Sequence, residues 1–420
     1  MTSDRASRAG AILEIDLGGI VENWRLLARQ AAPALCAAVV KANAYGLGAA
    51  PVARALAASG CRMFFVATLD EGILLRQTVG TAPEIAILNG PMPGTAAEFI
   101  EHGLIPVLND PGQIADWVAA APRVLRDAPP RGAPQDEDRL PMASNTLPHP
   151  EEAAQRPSRR THRRLSESQA PAILHVDTGM ARLGLGAREF ANFIERPPPI
   201  AWRAVMSHLA CADDPVHQLN QRQRARFAAA AMQLPGVPAS LAASSGIFLG
   251  PAYHFGMVRP GAALYGVNPQ PGRANPLRQI VRLSAKILQI RQIDRGESVG
   301  YGAAHVMEAP GRAAIVGVGY ADGWLRSLSH RGCGYLAGTR IPIIGRVSMD
   351  LVTFDVSAVD PALARPGAVI ELLGDNCGVA AAAADAGTIG YEILCALGAR
   401  YHRIYRNPPG LDPTGADRPE

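Results

Sequence analysis

The chain has 420 residues, 48% of them apolar and 19% charged, with a formal net charge of +4. That length suits two domains with sizeable cores, and so small a positive excess gives no reason to expect a nucleic-acid partner. No apolar run reaches the roughly 18 residues that a membrane-spanning helix requires, and the N-terminal stretch lacks an apolar core of signal-peptide length, so a cytoplasmic protein without a membrane partner is expected.

The first strong element is LCAAVV, residues 35–40, a continuous apolar run that fits a strand buried on both faces. KANAYGLG follows, then the helical stretch PVARALAASG. Of 41 basic residues only Lys41 and Lys286 are lysine, the other 39 being arginine. A chain that replaces lysine almost everywhere keeps one where a strand ends at a Gly-relaxed turn, the place where parallel α/β proteins put ligands and catalytic groups. Nucleophilicity is one reason, since an amine can lose its proton and condense with a carbonyl while guanidinium cannot. A surface lysine at a strand end is the plainer alternative. The helix start beyond it offers backbone N–H groups that suit a phosphate.

Seven further strand-like runs follow in order: FFVATLD, EIAILNG, LIPVLND, AILHVDT, WRAVMSHLA, SLAASS and ALYGV. Helical stretches such as EGILLRQTV, TAAEFIEHG, PGQIADWVAAA and AREFANFIE lie between them. Eight β/α repeats predict a (β/α)8 barrel over residues 12–275, because a doubly wound sheet rarely needs eight consecutive parallel strands. Residues 122–171 interrupt the rhythm with nine prolines, nine arginines and seven acids and almost no apolar period. Such a segment buries too little to offset its ordering entropy and is expected to be a disordered insertion; a basic RNA-binding arm is the functional alternative, weakened by a small net charge. It falls in a helix-to-strand loop, at the barrel end away from the catalytic face. Beyond residue 276 the texture becomes short β-rich runs with Gly turns, which predicts a mainly antiparallel β domain over 276–408. Six cysteines (36, 61, 211, 333, 377, 395) have no CxxC spacing and read as free thiols, and there is no zinc pattern or Walker loop. No metal is expected.

Polar residues at the predicted strand ends should meet at one mouth: Lys41 after the first strand, DTGMAR (177–182) after the fifth, His208 after the sixth, Ser244 and Ser245 after the seventh, Arg259 and Gly261 flanking the start of the eighth. Singly, Arg259 reads as a surface ion pair and His208 as a core histidine. Together, an amine, hydroxyls with a Gly-rich turn for phosphate, and an arginine for a ring nitrogen specify pyridoxal phosphate.

AVVKANAYGLGA, HVDTGMARLGL, MVRPGAALYGV, VGYGAAHV, GVGYADGW, GRVSMD and GYEILC, in this order, resemble the alanine racemase family along nearly the whole chain outside 122–171. The resemblance implies a pyridoxal-phosphate barrel plus β domain, a homodimer with active sites shared between subunits, alanine as substrate, and D-alanine supplied for peptidoglycan. It implies that Lys41 is the cofactor-bearing lysine and one base, and that Tyr301 from the partner subunit is the other. Arg182 corresponds to the substrate-carboxylate ligand and Met349 to the residue whose backbone N–H meets the same carboxylate. Arg259 corresponds to the ring-nitrogen partner, His208 to the ring neighbour, and Tyr45, Ser245, the Gly261 backbone and Tyr391 to the phosphate cradle. Tyr320 corresponds to an entryway residue. Three positions depart from the family pattern: His175 where many members carry a carbamylated lysine bracing the arginine, Ala181 for a usual Gly, and Ser244 for a usual Asn. A non-catalytic pyridoxal-phosphate carrier would lack YGAAH and SMD, and a decarboxylase would need a Cys-Glu-Ser-Gly-type motif. Substrate breadth toward serine is not fixed by the sequence.

Overall fold

The structure, a computed structural model, describes residues 6–127 and 170–406. Its first sheet is all parallel and pairs its strands in chain order: Met63–Val66, Glu84–Ile87, Ile105–Leu108, Pro171–His175, Ala201–Met206, Ala239–Ala243 and Met257–Arg259. The first barrel strand is split into Leu35–Cys36, which pairs with the last strand, and Ala38–Val39, which pairs with Met63–Val66. The split strand closes the cylinder. Every residue of Met63–Val66 and of Ile105–Leu108 is buried, as expected for strands covered on both faces. Helices such as Ala49–Ala58, Leu69–Val79 and Gln218–Met232 alternate with the strands, giving the (β/α)8 barrel.

Two expectations are corrected. The eighth strand is Met257–Arg259 and not ALYGV, so Arg259 ends that strand and Gly261 follows it. Ala262–Tyr265 is a buried 3-10 turn. Pro260 has no N–H for the ladder, and the N–H groups of Gly261 and Ala263 are donated to Ser244 Oγ instead of to a neighbouring strand. The second correction concerns Ala11–Asp16, counted with the barrel in the span 12–275. It lies in the second sheet, antiparallel to Val281–Ile293 and parallel to His402–Arg406.

That second sheet is mostly antiparallel and is organised on the 13-residue strand Val281–Ile293. Its first half pairs with Ala11–Asp16 and Val369–Leu373, its second half with Gly311–Val316, which pairs onward with Val352–Asp355. No single helix among the described residues is long and apolar enough to cross a membrane. Most of the expected insertion, residues 128–169, lies outside the described residues; the preceding helix runs to Asp127 and the next strand begins at Pro171. Both attachment points are at the barrel end opposite the strand carboxyl termini. Replacing 128–169 by a short Gly/Ser linker is therefore expected to leave turnover within about twofold, since loop-closure entropy varies only logarithmically with length; a steady-state assay of the shortened chain checks this.

Candidate active site

The turn after the first strand is the most strained segment of the barrel mouth. Ala42, Asn43, Ala44 and Tyr45 have φ of 52, 53, 53 and 54°. An L-residue pays about 1–2 kcal/mol in this left-handed region, so four in succession cost roughly 4–8 kcal/mol. Local hydrogen bonds offset part of that: Ala44 N–H to Val40 O (2.9 Å), Gly46 N–H to Ala42 O (2.8 Å) and Gly48 N–H to Asn43 O (2.8 Å). Asn43 Oδ1 accepts from Ala49 N–H at 2.7 Å, at the start of the following helix. Glu71, from the helix after the second strand, accepts the Ala42 N–H at 2.6 Å. Gly46, at φ 81°, ends the turn, and a Cβ there would lie 2.4 Å from Leu394 O. The lysine turn is thus wedged between barrel and β domain.

Lys41 opens this turn. Burial and the nearby Arg182 guanidinium lower its amine below the ordinary lysine value, while Glu71 and Cys395 oppose them. Arg259 is buried at the end of the eighth strand. It donates to Ser240 Oγ, to Ser207 O at 2.7 Å, and lies 3.5 Å from His208 Nδ1. No ion pair is formed by it among the described residues. Burial pulls its guanidinium down to about 10, still protonated near neutrality. His208 is held neutral, at about 3, by burial and then by Arg259, Arg182, His175 and Lys41.

His175 is buried at the end of the fifth strand and sits at about 4, through burial and then Arg259 and Arg182. Its Nδ1 is 2.8 Å from Asn109 Oδ1. Asn109 Nδ2 donates to Leu88 O and Val107 O, so Oδ1 is the acceptor and His175 Nδ1 carries the proton. Nε2 is then the acceptor. The adjacent Cδ2 packs on the loop that carries Arg182, 3.1 Å from where a Gly184 Cβ would stand. In that loop the Asp177 carboxylate accepts the N–H groups of Gly179, Met180 and Ala181 (2.9, 2.8 and 3.0 Å). Burial pushes the Asp177 carboxyl up, but those three donors outweigh it and leave it below its ordinary value. Ala181, at φ 55°, takes the left-handed conformation without a glycine.

A group of hydroxyl side chains lies beside the lysine turn. Ser244 Oγ accepts the N–H groups of Gly261 and Ala263 (3.0 and 3.1 Å), so the Gly261 N–H already has one acceptor. Ser245 is half-buried next to it. A Cβ at Gly261 would stand 2.3 Å from the Tyr45 hydroxyl. The Tyr45 ring centroid is 4.9 Å from Tyr265 and 6.0 Å from Tyr391. Burial, before any charge, raises the Tyr45 and Tyr391 hydroxyls and keeps both as donors.

Lys41, His208, Arg259 and Arg182 are therefore gathered at one mouth with Tyr45, Ser245, Gly261 and Tyr391 alongside. Tyr301, Met349 and Tyr320 are not. They sit on the β domain, 75%, 53% and 42% exposed, and among the described residues no hydrogen bond, ion pair or ring contact joins them to the Lys41 cluster. Met349 and Tyr320 share a turn of their own, with Ala321 N–H donating to Met349 O at 3.0 Å. Glu71, Asn109, Ser207 and Ser240 were not singled out from the sequence. TLDE at 68–71 does show the Thr-x-x-Glu cap pattern, which locates Glu71 without revealing its reach to Ala42.

A (β/α)8 barrel that collects one amine, a buried guanidinium and several hydroxyls at its strand carboxyl ends has the architecture of a barrel enzyme. More narrowly, the chain belongs to the alanine racemase family: the profile of the alanine racemase N-terminal domain matches residues 15–269 and that of the C-terminal domain residues 280–405. It is 49% identical to alanine racemase of Rhodospirillum rubrum, over 95% of this chain and 96% of that one. It is 46% identical to a catabolic alanine racemase of Mesorhizobium japonicum, over 94% and 93%. Among solved structures it is similar to alanine racemase from Bartonella henselae with covalently bound pyridoxal phosphate, with a TM-score of 0.82, 37% identity, and 95% and 100% of the two chains covered. The biosynthetic alanine racemase of Pseudomonas aeruginosa gives a TM-score of 0.78 at 30% identity, with 95% and 99% covered.

Proposed function

We propose that this chain interconverts L- and D-alanine with pyridoxal 5'-phosphate, as a cytoplasmic homodimer that supplies D-alanine for peptidoglycan. The observation that carries the reading is Arg259, a buried, protonated guanidinium faced only by neutral acceptors. Such a donor suits an uncharged pyridine nitrogen. The other end of the group would meet the hydroxyls of Tyr45, Ser245 and Tyr391, and the missing side chain at Gly261 is what lets the Tyr45 hydroxyl approach that backbone. The residues present fit the cofactor.

When bound, pyridoxal phosphate supplies an aldehyde for an amine and a conjugated ring that renders an amino-acid α-proton acidic. Lys41 is the amine that would hold it, and the same amine would exchange a proton with one face of the substrate α-carbon. Inversion needs a second base on the opposite face, and Tyr301 of the partner subunit is that base. Arg182 takes the substrate carboxylate together with the backbone N–H of the partner's Met349. Neutral His175 has Nε2 as the one acceptor it could offer Arg182, at the position where many family members carry a lysine. Arg259 keeps its proton near neutrality and would donate to the ring nitrogen of the bound group, which favours an uncharged nitrogen. His208, beside Arg259, would border the ring. The exposure of Tyr301, Met349 and Tyr320 on the β domain, away from the Lys41 cluster of the same chain, supports a site completed by a second subunit. A division into a barrel of 12–275 and a β domain of 276–408, with Ala11–Asp16 lent to the second sheet, is part of this reading.

The test is incubation of purified protein and pyridoxal phosphate with L-alanine, with chiral separation of the product. Conversion toward an equal mixture is expected. Unchanged L-alanine would leave the carrier reading, and evolution of carbon dioxide the decarboxylase reading. L-Serine run in parallel measures breadth.

A further inference from the structure

We propose that Glu71 is the positioning residue of the lysine turn, its carboxylate fixing the direction in which Lys41 presents its amine. Glu71 Oε1 accepts Ala42 N–H at 2.6 Å, while Oε2 accepts Ala67 N–H at 2.8 Å and Thr68 N–H at 3.3 Å. The Ala42 N–H belongs to the peptide unit formed with the Lys41 carbonyl, so this bond pins the plane from which the Lys41 side chain departs. A helix cap alone accounts for the Thr68 bond and for Glu71 N–H donating to Thr68 Oγ1 at 3.4 Å. It does not account for Ala42, 29 residues away in the chain.

The backbone makes such an anchor necessary. Four successive left-handed residues begin at Ala42, and the backbone bonds that hold them are internal to residues 40–48. Internal bonds preserve the shape of a turn but do not set its direction against the barrel. Arg403 and Tyr405 hold the far end of the turn, donating to Gly46 O and Leu47 O at 2.6 and 3.0 Å, and Val40 N–H donates to Phe65 O ahead of it. At the first left-handed peptide it is Glu71 that sets the direction, because its helix, Leu69–Val79, starts directly after the second strand. Three N–H donors converge on one carboxylate, and only an acceptor-only side chain can take all of them. Glutamine would turn an NH2 group toward one donor.

The inference rests on the reading of Lys41 as a proton-exchanging amine. The titratable groups that face that amine are Arg182 from the loop after the fifth strand, Glu71 from the helix after the second, and the Cys395 thiol, raised by burial, from the helix Gly390–Ala396; His208, at the end of the sixth strand, is neutral. Glu71 favours the ammonium form, so its removal lowers the pH at which Lys41 loses its proton.

The full-length holoenzyme is compared with Glu71→Gln and Glu71→Asp by amide hydrogen exchange and by the pH profile of kcat. Exchange over residues 40–48 is expected to rise at least about tenfold in both variants, a loss of about 1.4 kcal/mol of local protection, with Met63–Val66 unchanged. In Glu71→Gln the acid limb of kcat moves to lower pH and kcat falls more than KM changes; in Glu71→Asp, which keeps the charge, the limb stays in place. Unchanged exchange over 40–48 in Glu71→Gln overturns the proposal. Faster exchange with an unshifted limb also overturns it, reducing Glu71 to a helix cap. If the wild type fails to racemise alanine, the activity reading falls, while the exchange comparison still decides whether Glu71 anchors the turn.

Discussion

Replacing Lys41 by alanine is expected to lower alanine racemisation by at least about 10⁴-fold, the upper end of what one general acid–base group contributes, because the same amine also holds the cofactor. Lys41→Arg should be as inactive. It keeps the positive charge and much of the volume, but guanidinium does not deprotonate and cannot condense with an aldehyde. The site is prepared for an amine: burial and Arg182 depress Lys41 while Glu71 restrains the shift. The chain's other lysine offers no substitute. Lys286 lies on the long strand of the second sheet, its Nζ donating to Ala6 O and Ser7 O at 2.6 and 2.9 Å. Production of D-alanine from L-alanine at saturating pyridoxal phosphate is the measurement, and more than about 1% of wild-type turnover in either variant contradicts the assignment, given the size of a general-base effect.

How much of this was legible in the sequence varies from residue to residue. LCAAVV, EIAILNG and LIPVLND read as strands because both their faces are covered, so their apolar runs are continuous. Residues 262–265 are equally apolar and fully buried, yet they form a turn. Periodicity cannot separate the two; the destination of the N–H groups does, and that depends on Ser244, far from the run in which it acts. Ala11–Asp16 alternates buried and half-buried residues, unlike the continuous barrel strands, but its partner His402–Arg406 is at the other end of the chain. In the site, the residue types at strand ends were readable as chemistry. The left-handed turn was not, since alanine and asparagine at 42–44 carry no glycine signal. The role open to His175 likewise depends on Asn109, which fixes the tautomer from a neighbouring strand end.

Tyr301→Phe tests the shared site and the two faces of the reaction at once. Tyr301 is 75% exposed and has no partner in the Lys41 cluster of its own chain, so any effect of its hydroxyl on racemisation reaches the chemistry from a second subunit. The substitution removes one oxygen from an exposed side chain and should leave folding and cofactor binding unchanged. Racemisation is expected to fall by about 10²–10⁴-fold, the range for loss of a positioned acid–base group. The loss should be asymmetric in a proton-exchange assay. Exchange of the α-proton for deuterium from D-alanine, served by Lys41, should persist, while exchange from L-alanine collapses. A mixture of Lys41→Ala and Tyr301→Phe chains then provides the decisive case. Each homodimer is inactive, but a mixed dimer contains one site with both substitutions and one with neither. If each site takes Lys41 from one chain and Tyr301 from the other, mixing should restore up to about a quarter of wild-type turnover, because statistically half of the dimers are mixed and each carries one intact site of two. No recovery after demonstrated subunit exchange would place Tyr301 and Lys41 in the same chain's site, and equal loss of exchange from both enantiomers would remove Tyr301 from the L-specific face.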